Sequence, residues 1–254
     1  MKKLTAFPAA LFPAVMVMSF LPSCSKNDNF DKIPRTGFIT HYQYDKKNRT
    51  PFLSFWADGN AHEWNDRVQG KHEKKQVLYI KDININWMDI KPKSDEEKRD
   101  LDKLRQYFRD SLRKNISQAA HNERNFIPKA TPSPNAYTLE IAITSITPTP
   151  AVANLLLNGV NELKSGVGTI GEQLVKKGHI AMAAKLTNTH GRIIAEVADY
   201  REDHSALLID LKDYTRYKHH ERHIDEWSQE ITLILTHPSN YKVDPPRKFT
   251  LNPF

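Results

Sequence analysis

The chain has 254 residues, of which 39% are hydrophobic and 26% charged, and it carries a formal net charge of +7. That is the balance of an ordinary globular protein, and it excludes a disordered or wholly membrane-embedded chain. Cys24 is the single cysteine, so no internal disulfide is possible and the fold must be held by its core.

The first 23 residues read as a targeting segment. Lys2 and Lys3 form a short positive region, and residues 4–21 are uncharged and mostly apolar. A membrane-spanning anchor is the poorer reading. Spanning needs about 20 apolar residues, and Pro8 and Pro13 interrupt this run, each costing roughly 3 kcal/mol inside a helix. The segment closes on Leu21, Pro22, Ser23 and Cys24, which resembles the lipobox of bacterial lipoproteins, with Pro22 off the commonest pattern. The resemblance implies cleavage before Cys24, a diacylglyceryl group on its sulfur, and acylation of the new amino group. One acyl chain binds a membrane only marginally, whereas several hold firmly at roughly 0.8 kcal/mol per buried CH₂. An ordinary cleaved signal that leaves a stray thiol is the alternative. Ser25 stands where an Asp would resemble an inner-membrane retention signal, so the resemblance implies anchoring to the outer membrane, facing the periplasm. Cleavage would remove Lys2 and Lys3 and lower the net charge from +7 to +5. Such a charge favours anionic surfaces such as lipid headgroups or cell-wall polymers. Nucleic acid is not an expected partner of an exported chain.

Residues 24–36 are polar and read as a tether. Residues 37–75 form an aromatic-rich extension whose short strands and turns are expected to pack over the main domain. The core domain is expected at 76–237. It opens with "QVLYIKDININW", rich in β-branched residues, where Ile83, Ile85 and Trp87 alternate as in a strand. Ser94 followed by Glu97 is a capping box, and Asp95 and Glu96 fall in the favourable first turn. Leu101, Leu104, Phe108, Leu112, Ile116 and Ala119 then recur at three and four, predicting an amphipathic helix over 94–121. "ATPSPN" is a loop, and Tyr137, Leu139, Ile141 and Ile143 alternate in a second strand. A shorter helix is expected over 151–164, followed by a glycine-spotted stretch at 165–178. Residues 179–202 read as a hairpin with Ile180, Met182, Ala184 and Leu186 facing Ile193, Ala195 and Val197, and Gly191 supplying the positive φ of the turn. Ile224, Trp227, Ile231 and Ile234 place a last helix at about 211–235, and 238–254 is a Pro-rich tail. The order β-α-β-α-β-β-α predicts an α+β fold, a small mixed β-sheet with helices packed on it.

The stretches "TGFITHY", "YIKDININW", "LEIAITSITPT", "GHIAMAAKLTNTHGRIIAEVADYRE" and "IDEWSQEI" resemble a family of bacterial lipoproteins, the domain-of-unknown-function 3313 lipoproteins, over roughly 36–236. Members more often carry an acidic residue and Thr-Gly in the hairpin turn, where this chain has "NTHG". The family's function is uncharacterised, so the resemblance implies a location and no activity. The element order is also similar to periplasmic lipoprotein domains that assist envelope assemblies, which is an analogy of fold alone.

Four constellations compete as chemistry. Residues 166–171, "GVGTIG", satisfy G-x-G-x-x-G, but a dinucleotide site needs a strand before the motif and an acidic residue beyond it, and here the preceding residues read as helix. A packing or loop role is the better account, and no cofactor is implied. In "HHERHIDE", His219, His223 and Glu226 recur at helical spacing and could hold Zn²⁺ from one helix face. His219 falls off the face set by Ile224 and Trp227, so a solvated basic face is the plainer reading. "DHS" at 203–205 has acid, base and hydroxyl too close in sequence to orient one another as a triad. Asp82 and Asp89 flank the first strand and could pair as carboxylates. No catalytic residue is assigned. The sequence therefore points to a lipid-anchored, non-enzymatic binding or assembly accessory of the envelope, held to lipid through Cys24 and serving an envelope protein partner. The alternatives are a metal-dependent hydrolase using the His219/His223 cluster and a binder of anionic envelope polymer.

Overall fold

The computed structural model describes residues 29–45, 50–58, 76–121, 126–148, 178–202 and 217–236. Among them are six strands and two long helices: β1 (Ser54–Ala57), β2 (Gln76–Ile80), α1 (Asp95–His121), β3 (Phe126–Lys129), β4 (Ala136–Thr147), β5 (His179–Thr187), β6 (Ile193–Glu202) and α2 (Lys218–Thr236). The strands form one sheet in the order β1-β6-β5-β4-β2-β3. β2 runs parallel to β3 and β4, and the remaining pairs are antiparallel. The fold is α+β with a mixed sheet, as the sequence implies.

Alternation decides which face each strand buries. Leu139, Ile141 and Ile143 of β4, Met182, Ala184 and Leu186 of β5, and Val197 of β6 join Leu101, Leu104, Phe108, Leu112 and Ile116 of α1 and Ile224, Trp227 and Ile231 of α2 in one apolar core. The two helices pack side by side on this inner face, with the Phe108 and Trp227 rings stacked at 6.1 Å. At the N-terminus of α1 the Ser94 hydroxyl accepts the Glu97 amide at 3.1 Å, and the Glu97 carboxylate accepts the Lys93 amide at 2.6 Å. The Ser94 cap is thus formed and fixes where the helix begins, with Glu97 reaching back one residue beyond the cap.

The outer face is built differently. Ala142, Ala183 and Ala198 stand opposite one another on β4, β5 and β6, with Ser54 of β1 completing the row. Side chains this small let another segment lie close to the sheet. Residues 29–45 do so, laying Ile33, Phe38 and Ile39 on the alanines beside Leu53. β1, within the aromatic-rich stretch, joins the edge of the same sheet beside β6.

Two expectations change. The first strand ends at Ile80 rather than running to Trp87. The chain rejoins β4 only through a bridge between Asn84 and Ala142 and the Asp89 amide on the Thr144 carbonyl at 3.0 Å. The alternation of Ile83, Ile85 and Trp87 breaks with it, since Ile83 is buried and Trp87 is 39% exposed. β3 was not expected, because four residues with a central Pro128 give no periodic signal. In the hairpin turn Gly191 does take φ 79°, and Asn188 holds the loop: its side-chain oxygen accepts the His190 and Arg192 amides, each at 3.0 Å. The short helix over 151–164, the "GVGTIG" stretch, residues 203–216, Cys24 and the tail lie outside the described residues.

Candidate functional site

The densest cluster of charge among the described residues sits between β6 and α2, where the inner face turns polar. Following Ala195 and Val197, strand parity puts Asp199 and Arg201 on the helix side. Arg201, its side chain only 14% exposed, reaches Asp199 at 2.8 Å, Glu226 at 2.7 Å and Glu230 at 2.6 Å. The same guanidinium lies 5.3 Å from the Trp227 ring, and the Trp227 indole N–H donates to Asp199 at 2.7 Å. Asp199 also accepts the Leu53 amide at 3.2 Å, which ties the β1 edge into the cluster. One fork of donors thus serves three carboxylates, an arrangement that suits Arg and not Lys.

The carboxylates are not equivalent. Burial pushes Glu230 up to about 7 despite its bond to Arg201, and its second oxygen finds no partner among the described residues. Glu226 is held below the usual carboxylate range. Burial alone would raise it, but the His223 imidazole 3.7 Å away and the Arg201 charge outweigh that. Burial would strip charge from Arg201, yet Asp199 and Glu230 keep its pKa above the ordinary arginine value. Next to this cluster Asp225 accepts hydrogen bonds from Tyr107 at 2.7 Å and Ser111 at 2.8 Å, joining α2 to α1, and burial with that carboxylate raises the Tyr107 phenol.

On the outer face Glu196 is fully buried beneath the turn at Thr40 and His41. It accepts both backbone amides and, at 2.7 Å, the His41 ring N–H. The half-exposed His41 ring lies flat on Trp56, 3.8 Å away with 7° between planes. A third polar group, Ser145, donates to Asp89 at 3.2 Å and accepts from His179 at 3.1 Å. Because Asp89 holds the serine and not the imidazole, the trio lacks the order that activates a nucleophile.

The residues singled out from sequence are dispersed by this geometry. His219 is half-buried at the start of α2, His223 is buried, and Glu226 is turned to Arg201. The reading of a solvated basic face is corrected: His220 and His223 face inward, and His220 donates from Nε2 to the Thr147 carbonyl at 3.2 Å. Among the described residues no group of three or more His, Cys, Asp and Glu side chains is arranged to hold a metal ion. Asp82 and Asp89 do not pair, since Asp82 binds Arg109 at 2.8 Å and is lowered by that bond, while Asp89 takes Ser145. The Asp199–Arg201 cluster was missed. Its signal was present in β6, where the parity of the buried residues continues into charged ones, and in Glu226 and Glu230 one turn apart on either side of Trp227.

An α+β domain whose inward polar groups bind one another, and whose helices are none of them long and apolar enough to cross a membrane among the described residues, is the class defined here. The model of the family described as "Protein of unknown function (DUF3313)" matches residues 70–231, and the chain belongs to that family. No curated protein matches the chain. Among solved structures it is similar to two PelC dodecamers from Paraburkholderia phytofirmans, in space groups C2 and P6. Identity is 8% in both, with TM-scores of 0.35 and 0.34 over 64% and 66% of this chain and 90% and 89% of theirs. Similarity at that level says nothing about what this chain binds.

Proposed function

We propose that the protein is a lipid-anchored accessory domain of the bacterial cell envelope that binds or helps assemble a partner and performs no chemistry of its own. The observation that carries this reading is the fate of the reactive side chains. His223 and Glu226 lie against the Arg201 cluster, Asp82 is paired with Arg109, and Asp89 is spent on Ser145. Side chains engaged in this way hold elements of the fold together, and they are spread over separate parts of it instead of converging on one site. The lipobox-like segment ending at Cys24 supports the anchor, and Ser25 supports the outer membrane.

The test compares wild type with Cys24→Ala by intact mass, membrane fractionation and crosslinking in cells. An acylated wild type in the outer membrane that captures a stoichiometric protein, with a soluble Cys24→Ala form, is the expected result. Two soluble, acyl-free forms would overturn the anchor. Stoichiometric zinc in the purified protein would favour the hydrolase, and salt-sensitive retention on isolated cell wall would favour the polymer binder.

A further inference from the structure

Three large apolar side chains are exposed among the described residues: Trp87 at 39%, Ile90 at 56% and Ile127 at 41%. Trp87 and Ile90 lie three residues apart on one loop, and that loop is held rigidly. Met88 between them is buried, the Asp89 amide binds β4, and the Asp89 carboxylate binds Ser145. The Trp87 indole meets Phe38 edge-on at 5.7 Å, and Gly37 passes beside it with φ 84°, a conformation that favours glycine. The indole and Ile90 are therefore presented outward by the fold. Two exposed apolar side chains this close in sequence offer a small apolar surface for contact.

The loop lies beside the segment that follows Cys24. Residues 34–36 and 86–89 line one open cleft of about 380 Å³. Cys24 precedes Pro34 by ten residues and the first described residue, Asn29, by five. At roughly 3.5 Å per extended residue the acyl chains of Cys24 can lie no more than about 35 Å from Pro34 and about 18 Å from Asn29. An amphipathic indole beside an aliphatic residue suits the boundary between headgroups and acyl chains. Arg35 and Lys91 stand exposed beside the pair, with the Lys91 ammonium also donating to the Asn86 carbonyl.

We propose that Trp87 and Ile90 dock into the surface of the membrane that carries the acylated Cys24, fixing the orientation of the domain on it. The inference rests on that acylation. The exposed cations Arg35, Lys91 and Lys93 are matched by the exposed acids Asp89, Asp95 and Glu96, so the apolar pair carries the docking and anionic lipid adds little.

Because Cys24 is blocked when acylated, Ile90→Cys supplies one free thiol for an environment-sensitive fluorophore. The full mature lipoprotein is reconstituted into phosphatidylcholine vesicles with and without phosphatidylglycerol, each containing nitroxide-labelled lipid. Ile127→Cys, in β3 and in register with Val77 ten residues before Trp87, is the control position. The label at 90 is expected to be blue-shifted and quenched in both vesicle types, and the label at 127 in neither. Adding Trp87→Ala is expected to lower the docked-to-undocked ratio roughly tenfold or more, with the melting temperature of Ile90→Cys unchanged. An acylated protein whose label at 90 is as water-exposed as that at 127 overturns the proposal, as does shielding that appears only with a crosslinked protein or a second copy. An acyl-free mass overturns the Cys24 reading alone. Docking is then decided with Cys24→Ser carrying Ile90→Cys mixed with the same vesicles, where no blue shift at any lipid concentration overturns it.

Discussion

The two faces of the sheet solve the same problem by opposite means. The inner face fills space with large side chains and two helices, and where the apolar supply ends it continues with Arg201 and three carboxylates. The outer face uses alanines so that a mostly irregular stretch, residues 29–45, can approach the strands and pin itself with two backbone amides on Glu196. Burial area stabilises the first, close approach the second. Perturbation should therefore spread through the whole core on one side and remain local on the other.

The largest effect is expected inside. Arg201→Met leaves Asp199 and Glu226 facing each other without a cation and should cost about 3–5 kcal/mol in chemical denaturation. A cost below about 1 kcal/mol would mean that the cluster is solvated in solution. On the outer face Ala183→Leu adds bulk beneath Phe38 and Ile39 and should cost about 1–3 kcal/mol. Amide exchange should rise in residues 33–41 and stay unchanged in α1. Equal loss of protection in α1 would break the distinction between the faces.

A slope with pH sharpens the comparison further. Glu230 titrates at about 7 in the fold against an ordinary 4.5, so the native state keeps a proton that the unfolded chain has released. Its contribution is complete below about pH 4.5 and is lost as pH rises through about 7. Glu226, held low, contributes in the opposite sense, adding stability above its ordinary range and losing it in acid. Glu230→Gln should flatten the decline in melting temperature between about pH 5 and 8. A variant whose slope equals that of wild type would place the proton elsewhere. The smallest effect belongs to Asp82, which is 76% exposed where it meets Arg109. Asp82→Ala should change stability by no more than about 0.5 kcal/mol, because water and salt screen such pairs.

The sequence by itself determined the elements whose periodicity is local. The heptad-like run from Leu101 to Ile116, the Ser94–Glu97 cap, the alternation in β4 and the hairpin around Gly191 each follow from neighbours a few residues away. Membership of the family was legible in the same stretches. Only the tertiary structure decided what lies across the sheet. A run of alanines in three separate strands becomes one shelf only when β4, β5 and β6 are in register. Glu196 is a surface-type residue until Thr40 and His41 close over it, 155 residues away in the chain. Arg201 meets Glu226 and Glu230 because a strand and a helix pack together, and no spacing in the sequence encodes that distance. Hydrophobic period is a property of one segment, whereas the partners of a buried charge belong to two, and the second is known only once the chain has folded.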